Sequence, residues 1–153
     1  MFGHYVDKVL QEGEQVRYIA SLHWILYAPG TALLFLAALL YMSPLAGGLG
    51  TLAWLGALVA LAAAVILLAR EWFIWWTTEI AVTNRRVIYK TGFISRKTTE
   101  MHMDKVESVD VEQSVPGRIL DYGDVIVRGA GSGIEPIRKV AAPLEVRNHI
   151  TGV

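Results

Sequence analysis

The chain is dominated by one long apolar stretch that carries no charged side chain. The 52 residues of positions 18–69 include no Asp, Glu, Lys or Arg. A single helix of that length would extend about 78 Å, whereas the hydrocarbon core of a bilayer is about 30 Å thick and is crossed by roughly 20 residues. Positions 43–50 interrupt the stretch with one Pro and three Gly, which disfavour a helix interior. The pattern predicts two transmembrane helices, at 22–42 and at 51–69, with the second ending as late as position 76.

Aromatic and basic residues mark the ends of both predicted helices. Arg70, at the end of the second helix, is expected to extend its charge to the membrane interface. The loop between the helices has no Lys or Arg, whereas basic residues precede the first helix and follow the second. The positive-inside rule therefore predicts that both termini are cytoplasmic. Every Trp lies near a helix end, as an aromatic belt requires, and all are expected to be interface anchors: Trp24, Trp54, Trp72, Trp75 and Trp76.

Small residues recur every four positions in the second helix, at Gly56, Ala60 and Ala64. Such a stripe allows two helix backbones to approach closely. It is therefore a candidate helix-packing surface, either against the first helix or between two copies of the chain. A buried helical hairpin of a soluble protein is the alternative to a membrane hairpin, and the placement of the Trp residues argues against it.

Polar and apolar residues alternate after position 76, which is typical of β-strands. The segment 114–120 is interpreted as a crossing turn, and Pro143 is placed in the first turn of a short closing helix that extends to about Thr151. Short strands with Gly-rich turns favour a sandwich or a small barrel. Six strands are predicted, at 78–83, 86–90, 93–103, 105–113, 124–128 and 134–140.

The segment before the apolar stretch has a different pattern. Apolar residues at helical spacing within positions 1–13 predict a short amphipathic helix, which we expect to pack on the strand-rich domain because its acidic balance disfavours anionic lipid. The sequence thus divides into an N-terminal amphipathic segment (1–20), a two-helix transmembrane hairpin (21–76) and a β-rich domain (77–153).

Four segments of the β-rich domain read TNRRVIYKTG at 83–92, KVESV at 105–109, PGRILDYGDV at 116–125 and PLEVR at 143–147. Together they resemble one family, the bacterial PH-like membrane proteins known as bPH2 or DUF304. Glu14, followed by His23 and Trp24, is also similar to that family. The resemblance implies a pleckstrin-homology-like fold, in which a curved seven-stranded barrel is capped by a C-terminal helix.

The resemblance has two consequences for the prediction. The strand count is one short, and we expect the missing strand within 93–103 or near Gly129. The family implies a bacterial cytoplasmic (inner) membrane protein but supplies no activity. The first hairpin turn is too tight for the basic pattern of phosphoinositide-binding PH domains, so that function is not carried over.

The composition limits the chemistry that the chain can perform. It has no Cys, its net charge is zero, and its four His are not at metal-ligand spacing. Ser108, His102 and Asp110 could be grouped as a catalytic triad, but no local signature supports this. The Gly-rich segment 129–133 lacks the following helix that a phosphate-binding loop needs. We therefore expect no enzyme, no cofactor, no metal and no nucleic-acid partner.

Three basic residues remain as a candidate partner- or anion-binding site: Arg85, Arg86 and Lys90. Structural ion pairing is the other interpretation of the two arginines. The sequence predicts a membrane-anchored, non-catalytic interaction or scaffold module that binds protein or lipid through its cytoplasmic domain. The alternative is an accessory subunit of a larger channel, transporter or respiratory complex. The expected partners are membrane lipid and either a second copy of the chain or another membrane protein.

Overall fold

The computed structural model describes residues 6–44, 47–92, 97–129 and 136–152. It divides into two compact units. One unit is discontinuous in sequence and consists of Met1–His23 together with Thr77–Val153, and the other is the apolar segment Trp24–Trp76. The apolar segment is thus an insertion in a folded domain, whereas the sequence pattern assigned residues 1–20 to a segment of their own.

The described residues of the discontinuous unit form seven strands, the number that the family resemblance implies. They are β1 (Val16–Ala20), β2 (Glu79–Thr83), β3 (Arg86–Thr91), β4 (Lys97–His102), β5 (Val106–Glu112), β6 (Tyr122–Gly129) and β7 (Ile137–Ala141). They form a four-stranded antiparallel sheet, β1-β2-β3-β4, and a three-stranded antiparallel sheet, β5-β6-β7. Within the described residues the two sheets are not closed into a barrel, which corrects that expectation. An isolated bridge between Leu22 and Val140 joins them at one corner.

The strand that the sequence analysis missed is β1, and its expected position after residue 92 was wrong. β1 pairs with β2 across the whole apolar insertion, with Val16 opposite Thr83 and Ala20 opposite Ile80. Its sequence merges with the start of the uncharged stretch, and its partner strand is distant in sequence, so no local pattern identifies it. Positions 93–96 and 134–135, at the starts of two predicted strands, lie outside the described residues.

The core lies between the two sheets and under the C-terminal helix α5 (Pro143–Thr151), which was predicted correctly. The buried apolar residues include Ile80, Val82, Val87, Val125, Val127, Ile137, Val140, Val146 and Ile150. β2 is buried on both faces from Ile80 to Thr83, so the predicted alternation between a core face and a solvent face does not hold there. In the short helix α1 (Val6–Val9), Val6 is buried and the carbonyl of Val9 accepts a hydrogen bond from Arg86, as packing on the domain requires; residues 1–5 of the predicted helix lie outside the described part of the chain.

Residues 114–120, expected to be a crossing turn, instead form helix α4 (Val115–Leu120). Its boundaries have clear local causes. The hydroxyl of Ser114 accepts the main-chain N–H of Gly117 at 3.2 Å, as an N-cap does, and Pro116 lies in the first turn, where a missing N–H costs little. Asp121 ends the helix in the left-handed conformation with φ of 55°.

The apolar unit is a helical hairpin. A 3-10 turn at Trp24–Tyr27 leads into α2 (Ala28–Tyr41), and α3 extends from Gly47 to Thr77 over 31 residues. The glycines at 47, 48 and 50, expected in the loop, belong to the first turn of α3. The first four N–H groups of a helix have no intrahelical partner in any case, so glycine is tolerated there better than in the interior.

Small residues line the buried side of α3, but at a spacing that differs from the predicted one. The buried apolar side chains of α3 are Ala53, Ala57, Ala60 and Ala64, at alternating intervals of four and three. This is the spacing of left-handed helix pairs. Gly56 is only half-buried, and a Cβ built on it would lie 3.5 Å from Leu40 of α2. Ala60 and Ala64 are thus buried, and the role of the stripe in helix packing, within the hairpin or between two copies of the chain, stays a prediction.

Candidate functional site

The turn between β2 and β3 is built around the hydroxyl of Thr83, which is fully buried. Its oxygen accepts the main-chain N–H groups of Arg85 at 3.2 Å and Arg86 at 3.0 Å. The same hydroxyl donates to Oε1 of Glu14 at 2.8 Å. Thr83 thus fixes the turn and connects it to a residue on the other side of the apolar insertion.

Arg86 is the centre of a buried charge cluster. Its Nε donates to Oε1 of Glu14 at 2.9 Å, and its Nη2 donates to Oε2 of Glu14 at 2.8 Å, which makes a bidentate pair. Nη1 donates to Oε2 of Glu100 on β4 at 2.6 Å, and Nη2 also reaches the carbonyl of Val9 at 2.8 Å. The side chains of Arg86 and Glu14 are 7% and 0% exposed. The guanidinium therefore already binds two carboxylates and has little surface to offer an external anion.

The electrostatics of the cluster favour the ionised forms of both partners. The hydrogen bonds from Arg86 lower the pKa of Glu14 from 4.5 to about 2, against the opposing effect of burial. The main-chain N–H of Gln11, which donates to Oε2 of Glu14 at 2.9 Å, acts in the same direction. The hydrogen bond to Glu14 raises the pKa of Arg86 above its ordinary value. The pair thus remains charged over the whole neutral range.

The N-terminal segment is held to this turn by main-chain contacts as well. Asn84 exchanges hydrogen bonds with Gln15, because its N–H donates to the Gln15 carbonyl at 3.0 Å and its Oδ1 accepts the Gln15 N–H at 2.9 Å. Its side-chain amide also donates to the carbonyl of Gly13 at 3.3 Å. The segment 13–15 therefore docks along the β2–β3 turn and positions Glu14 beneath it.

The three predicted basic site residues are not brought together. Arg86 is buried in the cluster, Arg85 is exposed beside Gly13, and Lys90 pairs with Glu79 at 3.0 Å. A partner-binding role for Arg85 or Lys90 stays a prediction. Sequence reasoning noted Glu14 through the family resemblance but missed that it is the partner of Arg86, because a single acidic residue carries no signal for a partner so distant in sequence.

A polar groove of about 400 Å³ lies on the second sheet and contains side chains of both charges: Glu112, Asp124, Arg138 and Lys139. Oδ1 of Asp124 accepts a hydrogen bond from the main-chain N–H of Lys139 at 2.8 Å. The backbone of Lys139 is in the left-handed conformation, with φ of 53°. Within the described part of the chain, no three His, Asp or Glu side chains are grouped as metal ligands.

The predicted interface anchors of the hairpin are largely uncovered. Trp24, Trp54, Trp72 and Trp76 are between 53% and 60% exposed, and Trp75 is half-buried. Trp54 packs on Tyr41 at 4.9 Å between ring centroids, and Trp72 stacks on Trp76 at 6.1 Å. Arg70 is exposed and lies 3.5 Å from Glu71. Their placement at a membrane interface stays a prediction.

Two small antiparallel sheets followed by a C-terminal helix define a PH-like domain, here interrupted by an apolar helical hairpin. The chain matches the model of the bacterial PH domain family over residues 20–152 and belongs to that family. The matched part includes both apolar helices and all of α5, whereas Glu14 precedes it. No curated protein and no solved structure matches the chain significantly.

Proposed function

We propose that this protein is a non-catalytic interaction module whose PH-like domain is anchored at the cytoplasmic face of a bacterial inner membrane by the inserted hairpin. The observation that carries the proposal is the pairing of β1 with β2. These two strands flank the apolar segment directly, so the domain is connected to the hairpin at both of its ends and cannot be separated from it by a single cut.

The strand pairing restricts how the apolar segment can cross a bilayer. Because β1 and β2 are hydrogen-bonded neighbours, both flanks of the segment must lie on the same side of any membrane. The number of crossings is therefore even. Two helices are long and apolar enough to cross, Trp24–Tyr41 with 18 residues and Gly48–Thr77 with 30 residues. Two crossings agree with both facts.

The outward side chains of the hairpin support lipid as its surroundings. Large apolar residues on both helices are strongly exposed, among them Phe35 at 67%, Val59 at 71% and Ile66 at 68%. Only 17% and 22% of the residues in the two apolar windows are buried, whereas the core helix of a soluble protein is mostly buried. Exposed apolar surface of this extent in water would drive association.

The domain offers sheet edges to a partner. Within the described residues, β4 and β5 each have a neighbouring strand on one side only. A partner segment can add to such an edge through main-chain hydrogen bonds. Glu107 and Ser108 on β5 and Lys97 and Glu100 on β4 are exposed at these edges. A protein partner or a second copy of the chain is the occupant that this geometry favours.

The anchoring is tested with single cysteines, because the natural chain has none. Ser43→Cys lies between the helices and Glu107→Cys lies on the domain. In spheroplasts, a membrane-impermeant maleimide is expected to label position 43 and not position 107, and in inverted vesicles the reverse. Equal labelling of both positions on one side would contradict a two-crossing hairpin. Labelling of both after detergent addition is the control for reactivity.

The interaction role is tested by the mass of the assembly extracted from its native membrane in lipid nanodiscs. A defined homo-oligomer, or a stoichiometric second protein that cross-links to Glu107→Cys or Lys97→Cys through a photoreactive maleimide, is expected. A second protein that is a channel or transporter would assign the chain as an accessory subunit. A monomer with lipid alone and no cross-link at either edge would contradict a protein-binding module.

A further inference from the structure

Helix α4 exposes an apolar surface that no described residue of the domain covers. Val115 is 73% exposed and Ile119 is 78% exposed, and Leu120 is 39% exposed. Val115 and Ile119 are four residues apart, so they lie on the same face of the helix. Among the described residues of the PH-like unit, only Ile19 and Leu144 are other large apolar side chains with high exposure, and both are below 50%. The surface of α4 is therefore the most apolar exposed site of this unit.

The position of α4 is fixed by contacts of its main chain. Gly117 packs so closely on the carbonyl of Tyr122 that a Cβ there would lie 2.6 Å from it. The side-chain amide of Gln113 donates to the same carbonyl at 3.2 Å. The ring of Tyr122 lies 5.1 Å from the ring of His23. A continuous series of contacts thus connects α4 to His23.

His23 is the last residue of the PH-like unit before the apolar segment begins at Trp24. Its main-chain N–H is fixed by a hydrogen bond to the carbonyl of Lys139 at 2.7 Å. α4 therefore lies at the end of the domain from which the chain enters the first apolar helix. The charge cluster of Glu14 and Arg86 lies at the other end of the β1–β2 pair, since Val16 is opposite Thr83 and Ala20 is opposite Ile80.

The charge of α4 suits an anionic surface. Arg118 is exposed and is the one charged residue in the helix, and within the described residues it makes no ion pair. A helix with outward apolar residues and a basic residue is typical of segments that lie in the headgroup region of a bilayer. A short helix of this kind binds lipid weakly by itself, but a tethered one is at high effective concentration beside the membrane.

We propose that α4 lies on the membrane surface, with Val115 and Ile119 inserted among the lipids and Arg118 beside anionic headgroups. This contact rests on the proposed anchoring and adds to it a fixed orientation of the domain. The β2–β3 turn and the exposed Arg85 then face away from the bilayer, toward the aqueous phase.

The test uses spin labels on the full-length protein in nanodiscs of phosphatidylcholine and phosphatidylglycerol. Ile119→Cys is the reporter, Glu12→Cys, an exposed position near the β2–β3 turn, is the water-exposed control, and Phe35→Cys on α2 reports the anchoring itself. Power saturation measures access of the label to oxygen, which partitions into lipid, and to a water-soluble nickel chelate. At position 119 the nickel accessibility is expected to be several-fold lower than at position 12, with oxygen accessibility approaching that at position 35.

The outcomes separate this inference from the anchoring. A lipid signal at position 35 with a water signal at position 119 would overturn the surface contact and leave the anchoring intact, whereas a water signal at position 35 would overturn the anchoring. Low access to both reagents at position 119 would indicate a protein contact and also overturn the proposal. Arg118→Glu is expected to raise nickel accessibility at position 119 only when phosphatidylglycerol is present, and Arg128→Glu, at an exposed position of β6, should leave it unchanged.

Discussion

The two ends of the β1–β2 pair differ in how completely the protein itself provides partners for the side chains there. At the turn end, Arg86 is surrounded by Glu14, Glu100 and a main-chain carbonyl, all supplied by the same chain. At the end where the chain enters the apolar helices, α4 leaves Val115 and Ile119 uncovered. Arg86, one of the conspicuous charges of the sequence, is thus used for the fold, whereas α4 leaves apolar side chains exposed. A charged motif alone does not locate a binding site.

The largest effect is expected from removing one member of the buried pair. Arg86→Ala leaves the carboxylate of Glu14 buried without its partner, and should destabilise the PH-like unit by about 3–5 kcal/mol. Hydrogen exchange of the β2 and β3 amides under increasing denaturant measures this, since all Trp residues lie in the hairpin and fluorescence would not report on the domain. Arg85→Ala, at the exposed neighbouring position, is the matched control and should change stability by about 0.5 kcal/mol or less.

Replacing both partners sharpens that result. In the double variant Glu14→Leu with Arg86→Met, no unpaired buried charge remains, so the loss should be smaller than that of Arg86→Ala alone. A double variant less stable than the single one would show that the cluster stabilises the domain by more than mutual neutralisation.

The pH dependence of stability follows from the pKa of Glu14, which folding lowers from 4.5 to about 2. The unfolded chain binds this proton at higher pH than the folded one, so the contribution of Glu14 is fully present above about pH 4.5 and is lost as the pH falls toward 2. The shift corresponds to about 3 kcal/mol. Denaturant midpoints of the PH-like unit between these pH values measure it. Glu14→Gln should remove this part of the acid dependence, and an unchanged acid profile would contradict the assignment.

At the α4 end of the domain, stability should depend on close packing and not on charge. Gly117→Ala places a methyl group 2.6 Å from the carbonyl of Tyr122, which must move, and should cost about 1–3 kcal/mol. Ile119→Ser, two positions along the same helix, removes only exposed apolar surface and should change stability in detergent by about 0.5 kcal/mol or less. Equal losses in the two variants would show that Ile119 is covered within the domain.

The smallest effect is expected at the partly exposed pair of Lys90 and Glu79, whose side chains are 14% and 17% exposed. Lys90→Met should cost about 1 kcal/mol or less, and the loss should shrink as salt is added. A salt-independent loss of several kcal/mol would place this pair in the same class as the buried cluster.

Much of the architecture could be predicted from local sequence patterns. The two apolar helices, the β2–β3 hairpin with its Asn84-Arg85 turn and the C-terminal helix after Pro143 all depend on residues that are close in sequence. The N-cap of α4 was also local, since Ser114 precedes Pro116, but a six-residue helix with three large apolar residues resembles a turn as much as a helix.

The features that could not be predicted are those that depend on distant partners. β1 is a strand because β2 lies beside it, and the roles of Arg86 and Glu14 depend on a contact between residues that are 72 positions apart in sequence. On α3, Gly56 and Ala57 are similarly small, and only the direction of the surrounding structure determines which of them is more buried. Long-range pairing of this kind has no periodicity to detect.

The pairing of β1 with β2 also determines when the domain can be completed during synthesis. Ala20 and its partner Ile80 are separated by 60 residues, which a bacterial ribosome adds in roughly 3–12 s. Until residue 80 has been added, β1 and Glu14 lack their partners. In the proposed membrane arrangement, a hairpin inserted with a single crossing would place the two strands on opposite sides, and the sheet could not form. Formation of this one strand pair would then depend on the correct insertion of both helices.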